Sequence, residues 1–218
     1  MRRLLPALCL LGATAGHAAD MAVVRYVDQD PGDPPYLTRI LVTPDFLRMD
    51  GGEDGGDFVL LDRRGRQVIS VMRDAGLAMA FSPGEIPSRP AGWAPRLDTG
   101  AGAPGTRRFS LVVNGVVCSE GVAAAAAAPD VARAMAELKA VLAATQYRVW
   151  KDSPPEMQHD CDLANQVWES GATLGLGLLL EEREFTGRTR RFESESRQPL
   201  QPELFRVPDG MAAVNAPS

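Results

Sequence analysis

Between residues 21 and 81 the apolar side chains come in short runs, cut every few positions by glycine, proline or aspartate. Alternation with a period of two sends successive side chains to opposite faces of a strand, and the interrupting residues supply turns. The stretch therefore reads as an antiparallel sheet. Residues 21–27 are β-branched and apolar, and Asp28-Gln29-Asp30-Pro31-Gly32-Asp33-Pro34-Pro35 reads as a turn whose prolines have no N–H for a ladder. Tyr36, Thr38, Ile40 and Val42 alternate with Leu37, Arg39 and Leu41, and a strand resumes over 46–50 after Pro44. Runs 58–62 and 67–71 flank Arg63-Arg64-Gly65-Arg66 as a hairpin, and 77–81 adds another strand.

Residues 82–107 carry Pro83, Pro87, Pro90, Pro95 and Pro104 among several glycines. That density of breakers predicts a long loop over the sheet with no regular element of its own. A strand is expected over 109–117, with Asn114-Gly115 as a type I′ turn, leading to Cys118. Pro129 and Asp130 open the clearest helix. Val131, Met135, Leu138 and Leu142 recur on one face while Arg133, Glu137 and Lys139 lie elsewhere, and Asp130 is the expected N-cap. A shorter helix is predicted over 156–168, a strand pair over 176–185 and 189–194 around Thr186-Gly187-Arg188, then a terminal loop over 199–209. The expectation is one α+β domain over 20–210, with the loop at 82–107 and a flexible tail at 211–218.

The first residues have a different character. Arg2-Arg3 precede an apolar stretch over 4–15 and the small residues Ala15-Gly16-His17-Ala18-Ala19, the order of a secretory signal peptide. The run falls short of the roughly 20 apolar residues a membrane span needs, so residues 1–19 are expected to be cleaved and the mature chain not to span a membrane. Without them 21 basic residues face 28 acidic ones, His159 is the one histidine, and Cys118 and Cys161 are the remaining cysteines. Such an acidic chain lacks the basic stripe that nucleic-acid binding requires. In an oxidising compartment Cys118 and Cys161 are expected to form a disulfide; the alternative is a reactive thiol beside His159.

No catalytic constellation is visible. The chain has no Gly-x-Ser-x-Gly elbow and no His-Glu-x-x-His, and Gly175-Leu176-Gly177 lacks the third glycine of a dinucleotide fingerprint. No catalytic residue, metal site or cofactor is therefore assigned. Asp50, Glu53, Asp54 and Asp57 cluster in a glycine-rich loop that reads as a solvated acidic turn rather than a hard-cation site. The arginine groups Arg63-Arg64-Gly65-Arg66 and Arg188-Thr189-Arg190-Arg191 both fall in turns, where solvated charge is common; the other reading is a contact to anionic headgroups or a partner. Trp93, Trp150 and Trp168 lie outside the predicted strands and are placed to cover a sheet face.

The stretches YLTRILVTPDFLRMD (36–50), DFVLLD (57–62), CDLANQV (161–167) and LFRVPDG (204–210) resemble segments of uncharacterised proteobacterial periplasmic proteins related to the LolA/LolB/LppX lipoprotein-carrier fold. That resemblance implies a curved, half-barrel-like antiparallel sheet packed on two or three helices around a cavity for acyl chains, in a periplasmic protein. It aligns Arg48 with an arginine that follows a strand in those carriers, and Arg48, Trp93 and Trp168 are the expected ligand-binding residues. The 82–107 insertion and the cysteine pair depart from the carrier pattern. The expectation is thus a periplasmic, non-enzymatic protein that binds a lipid, a lipoprotein acyl chain or another apolar ligand. The alternatives are a structural protein with a filled core that contacts a cell-envelope protein, and a hydrolase using His159.

Overall fold

Alternate residues of the first strand are buried on both sides, and this decides the layering. The computed structural model describes residues 20–216; the expected signal peptide and the last two residues of the expected tail lie outside them. In β1 (Asp20–Gln29), Ala22, Val24 and Tyr26 pack on one side of the sheet, here called inner, and Met21 and Val23 on the other. A strand apolar in both phases needs cover on both faces. β2 (Tyr36–Val42), β3 (Phe46–Asp50), β4 (Phe58–Asp62), β5 (Gln67–Met72) and β6 (Leu77–Phe81) continue as an antiparallel meander. A second meander comprises β7 (Pro95–Ala101), β8 (Arg107–Val113), β9 (Val116–Ala124), β10 (Leu178–Glu184) and β11 (Thr189–Pro199). β1 and β11 pair antiparallel from Asp20↔Pro199 to Gln29↔Thr189 and join the two meanders into one open sheet. β12 (Ala212–Asn215) adds in parallel to β6, so the sheet has twelve strands.

The inner face is covered by α1 (Pro129–Asp152), whose Val131, Met135, Leu138 and Val141 pack on Val24, Ile40, Leu47, Leu61, Val68 and Leu178. Twelve strands laid flat would span about 53 Å, whereas a helix of this length measures about 36 Å. Leu97 of β7 and Phe81 of β6 nonetheless pack against the same cluster, so the sheet curves around the helix. Ala128, at φ 32, precedes α1, and Asp130 sits in the first turn paired with Arg133, so the expected Asp130 N-cap is corrected. α2 (Asp160–Leu163) continues into a π-helical turn over Ala164–Trp168 and carries Cys161, which is bonded to Cys118 of β9 as expected. On the outer face, Leu204 and Phe205 cover Met21, Val23, Leu41, Phe58, Leu60 and Val71. Among the described residues no helix is long and apolar enough to cross a membrane.

Most expected strands stand where alternation placed them, and Asn114-Gly115, at φ 51 and 85, forms the two-residue turn between β8 and β9. Three expectations are corrected. The 82–107 loop contains β7, because Pro95 opens an edge strand where its missing N–H breaks no ladder bond. The tail contains β12, because the free edge of β6 offers partners: Ala212 N–H donates to the Gly76 carbonyl at 2.8 Å. Asp28 and Gln29 extend β1 rather than start a turn. Gly121 has a specific reason to be glycine, since a Cβ there would collide with the carbonyl oxygen of Glu181, where β10 bulges.

The seam between the meanders carries a buried ion pair. Arg190 Nε and Nη2 donate to the two oxygens of Asp28 at 2.8 and 2.9 Å, Thr38 Oγ1 donates to Asp28 at 2.6 Å, and the guanidinium lies 4.9 Å from the Tyr26 ring centre. Burial pushes the Asp28 carboxyl up, but the Arg190 hydrogen bonds and charge, with Thr38 and Arg188, more than offset it and hold it below its ordinary 3.8. A carboxylate held low stabilises the fold above about pH 4 and loses that contribution as pH falls through its folded value. Asp28→Asn is expected to cost about 3–5 kcal/mol at pH 7, because Arg190 keeps a charge without a partner. The deficit relative to the native protein should shrink below about pH 4; urea unfolding measured against pH checks both, and a deficit independent of pH contradicts the assignment. The disulfide closes a sequence separation of 43 residues. Its loss is expected to lower stability by about 4 kcal/mol on the chain-entropy account, read as the shift between urea curves of the native protein and the double Cys→Ala variant.

Candidate functional site

Six ionisable side chains form a polar layer on the inner face beyond the apolar core. Asp28 of β1, Glu182 and Glu184 of β10, Arg190 of β11, Arg188 of the preceding turn and Lys139 of α1 interact electrostatically there. The strand register explains the grouping: Asp28 pairs with Arg190, and Arg190 with Glu182. Burial pushes the Lys139 ammonium down, opposed by Glu182 and Glu184, and Nζ donates to the Asn165 carbonyl at 3.2 Å. Burial also pushes the Glu184 carboxyl up, helped by Glu182 and opposed by Arg188 and Lys139. Tyr26 lies deeper, its hydroxyl buried without a hydrogen-bond partner and its pKa driven well above the ordinary phenol range by burial.

Arg188 is the loosest member. Its guanidinium stands 3.7 Å from each of Asp28, Asp30 and Glu184, and its Nε is buried without a hydrogen-bond partner. Beside it opens a trough of about 380 Å³ over the inner face of β2–β5. Met49, Val59 and Met72, all half-buried, form an apolar floor with Ser70, while Arg188 and Arg190 form one wall and Tyr36 stands at the rim. Alternation accounts for the floor, because Met49, Val59 and Ser70 are cross-strand neighbours in the same phase as Leu47, Leu61 and Val68 of the filled core. The inner face is thus packed under α1 and open at the end nearest Arg188. An apolar floor with cationic groups along one side can hold a small amphiphile; its volume lies within the usual range for ligand pockets.

The three residues expected to contact a ligand are not brought together. Arg48 is fully buried on the outer face, where Nε donates to Asp50 at 2.6 Å, Nη1 to the Leu204 carbonyl at 2.8 Å and Nη2 to the Asp54 carbonyl at 3.1 Å, over the Phe58 ring at 4.1 Å. These contacts pin the 202–205 turn to the sheet. Trp93 and Trp168 meet edge to face at 4.7 Å beside Tyr147; their indole N–H groups donate to Glu169 and to the Pro87 carbonyl. With Trp150, whose N–H donates to the His159 carbonyl, they fasten the 82–94 segment and α2 to α1, and Trp93 also packs on Leu111, Val113 and Cys118 of the sheet. His159 lies against Phe185, and Cys161 is held in the disulfide, so the thiol–imidazole alternative has no free thiol in this state.

The acidic loop is solvated at Glu53, Asp54 and Asp57, which are exposed, whereas Asp50 is buried at its start. Arg39 reaches both oxygens of Asp50 at 2.8 Å and Asp54 at 2.7 Å, and Asp57 accepts from the Arg73 N–H. The sequence reading singled out Arg188 and Arg190 as a charged turn but missed the layer they join, although one signal was present. Asp28 falls in phase with Ala22, Val24 and Tyr26, and a charge in the apolar phase of a strand announces a buried partner.

No protein-family model matches the chain, and no curated protein matches it either. Two solved structures of PNGF-II, in space groups P21 and C2, are similar over 91% of this chain, with TM-scores of 0.39 and 0.36 and identities of 9% and 10%. This chain spans about a third of theirs, 32% and 31%, and a likeness this distant carries no conclusion about chemistry. The resemblance to the LolA/LolB/LppX carriers finds no support among these comparisons, and what stands of it is a large, mostly antiparallel sheet with two helices.

Proposed function

We propose that the protein is an exported, non-catalytic binding protein that holds an apolar or amphiphilic ligand in the trough over the inner face of β2–β5. The observation that carries this reading is the apolar floor of Met49, Val59 and Met72, left half-covered at the end of an otherwise filled core and flanked by Arg188. Apolar area open to water in a concave site is the part of a surface whose burial by a ligand is favourable, at about 25 cal/mol per Å². The disulfide suits the oxidising compartment that the residues at 1–19 imply, and both fit a periplasmic setting.

One observation favours the rival reading of a filled-core envelope protein that acts through its surface. α1 occupies the inner face from Val131 to Val141, the space an acyl chain fills in a hollow carrier. The two readings differ in what they expect of the trough. Under the binding reading, a fluorescent fatty acid binds the native protein, and Val59→Trp, which fills the floor, weakens it by at least about tenfold, or 1.4 kcal/mol. Native mass spectrometry of protein taken from the periplasm should also show a co-purified small molecule. A bare protein mass together with no binding of the fatty acid, or binding that Val59→Trp leaves unchanged, overturns the reading.

A further inference from the structure

The cluster Arg188-Thr189-Arg190-Arg191, which reads as one charged turn in the sequence, is divided by β11. Arg190 pairs inward with Asp28, whereas Arg191 belongs to the opposite phase and stands exposed on the outer face. There a groove of about 520 Å³ runs across β1, β11, β10, β9 and β8. Arg108, Glu120, Glu181, Arg183 and Arg191 line it, all exposed, above half-buried Val27 and Val122. The register sets them in two rows. In the first, Arg191 faces Glu181, Glu181 faces Val122 and Val122 faces Arg108; in the second, Thr189 faces Arg183 and Arg183 faces Glu120.

Opposite charges directly across neighbouring strands are close enough to pair. Even so, among the described residues none of these five side chains makes an ion pair, hydrogen bond or ring contact. Buried and half-buried arginines elsewhere are closely satisfied: Arg39 with Asp50, Arg48 with Asp50 and Leu204, Arg63 with Glu137, Arg190 with Asp28. The groove gathers five unpaired charges of both signs in one concave site.

Spacing and chemistry narrow the occupant. Strands about 4.8 Å apart put Arg191 and Arg108 about 14 Å from one another, with Arg183 about 8 Å from Arg191. A guanidinium fork takes carboxylate or phosphate oxygens in pairs, while a glutamate accepts only. We propose that this groove binds an elongated organic anion bearing at least two carboxylate or phosphate groups, one held by Arg191 and Arg183 and another by Arg108. The site is separate from the inner trough and stands or falls independently of it.

Calorimetric titration of the mature protein with tetraglutamate, tetrapolyphosphate and inorganic phosphate tests the assignment. At least one of the two oligoanions should bind about tenfold or more tightly than inorganic phosphate; binding of the first assigns carboxylate chemistry, and of the second phosphate. Arg108→Gln and Arg191→Gln should each weaken that binding by about tenfold, and Glu181→Gln should strengthen it severalfold by removing a like charge. Arg64→Gln, at the β4–β5 turn where Arg64 pairs with Asp45, should leave it unchanged. The proposal is overturned if neither oligoanion exceeds inorganic phosphate, if Arg64→Gln weakens binding as much as Arg191→Gln, or if Glu181→Gln weakens it.

Discussion

Asp28 and Arg190 hold the structure at the point where two meanders become one sheet. They are 162 residues apart, yet the pairing of β1 with β11 brings them into bidentate contact, with Asp28 fully buried and Arg190 only slightly exposed. A buried ion pair is a weak source of net stability, because desolvation of both charges opposes their attraction. Its effect is to penalise alternatives. A slip of one residue along β1 would turn Asp28 outward, expose Val24 and Tyr26, and leave Arg190 buried without its partner. The seam therefore sets the register of the other strands, each placed by its neighbour.

The same residue type plays three parts, decided by strand phase and surroundings. Arg39, Arg48, Arg63 and Arg190 are closed by carboxylates or carbonyls and act as staples. Arg188 is held at arm's length by three carboxylates beside the trough. Arg108, Arg183 and Arg191 are left open on the outer face. Asp28, Glu182 and Glu184 share the inner face with Lys139, Arg188 and Arg190, so equal numbers of carboxylates and cations meet where the apolar core ends. That boundary explains why core and trough coexist: α1 fills the space its apolar stripe can reach, and the polar layer begins where Lys139 replaces that stripe.

Local chemistry was legible in the sequence, and long-range pairing was not. Alternation placed β2 to β6, Asn114-Gly115 placed the β8–β9 turn, and the two cysteines left after residues 1–19 paired as expected. Nothing in residues 20–29 identifies 189–199 as their partner, since β1 is apolar in both phases and most of β11 is polar. β7 was hidden by prolines that an edge strand tolerates, and β12 by a sequence with no pattern of its own, recruited by the open edge of β6. Arg48 was assigned to a ligand by resemblance to the carriers; its partners, Asp50, Asp54 and Leu204, come from its own strand, a loop and the far end of the chain. Trp93 and Trp168, expected at a sheet face and a ligand, pack against one another.

The central claim is that an apolar ligand seats on the floor of the trough, and its methionines report on that directly. With ¹³C-methyl methionine, an NMR titration of the mature protein with a fatty acid should shift the signals of Met49 and Met72. Met21, buried on the outer face, and Met157, exposed beyond α1, should stay in place. Shifts confined to Met157, or none at ligand excess, would contradict the account.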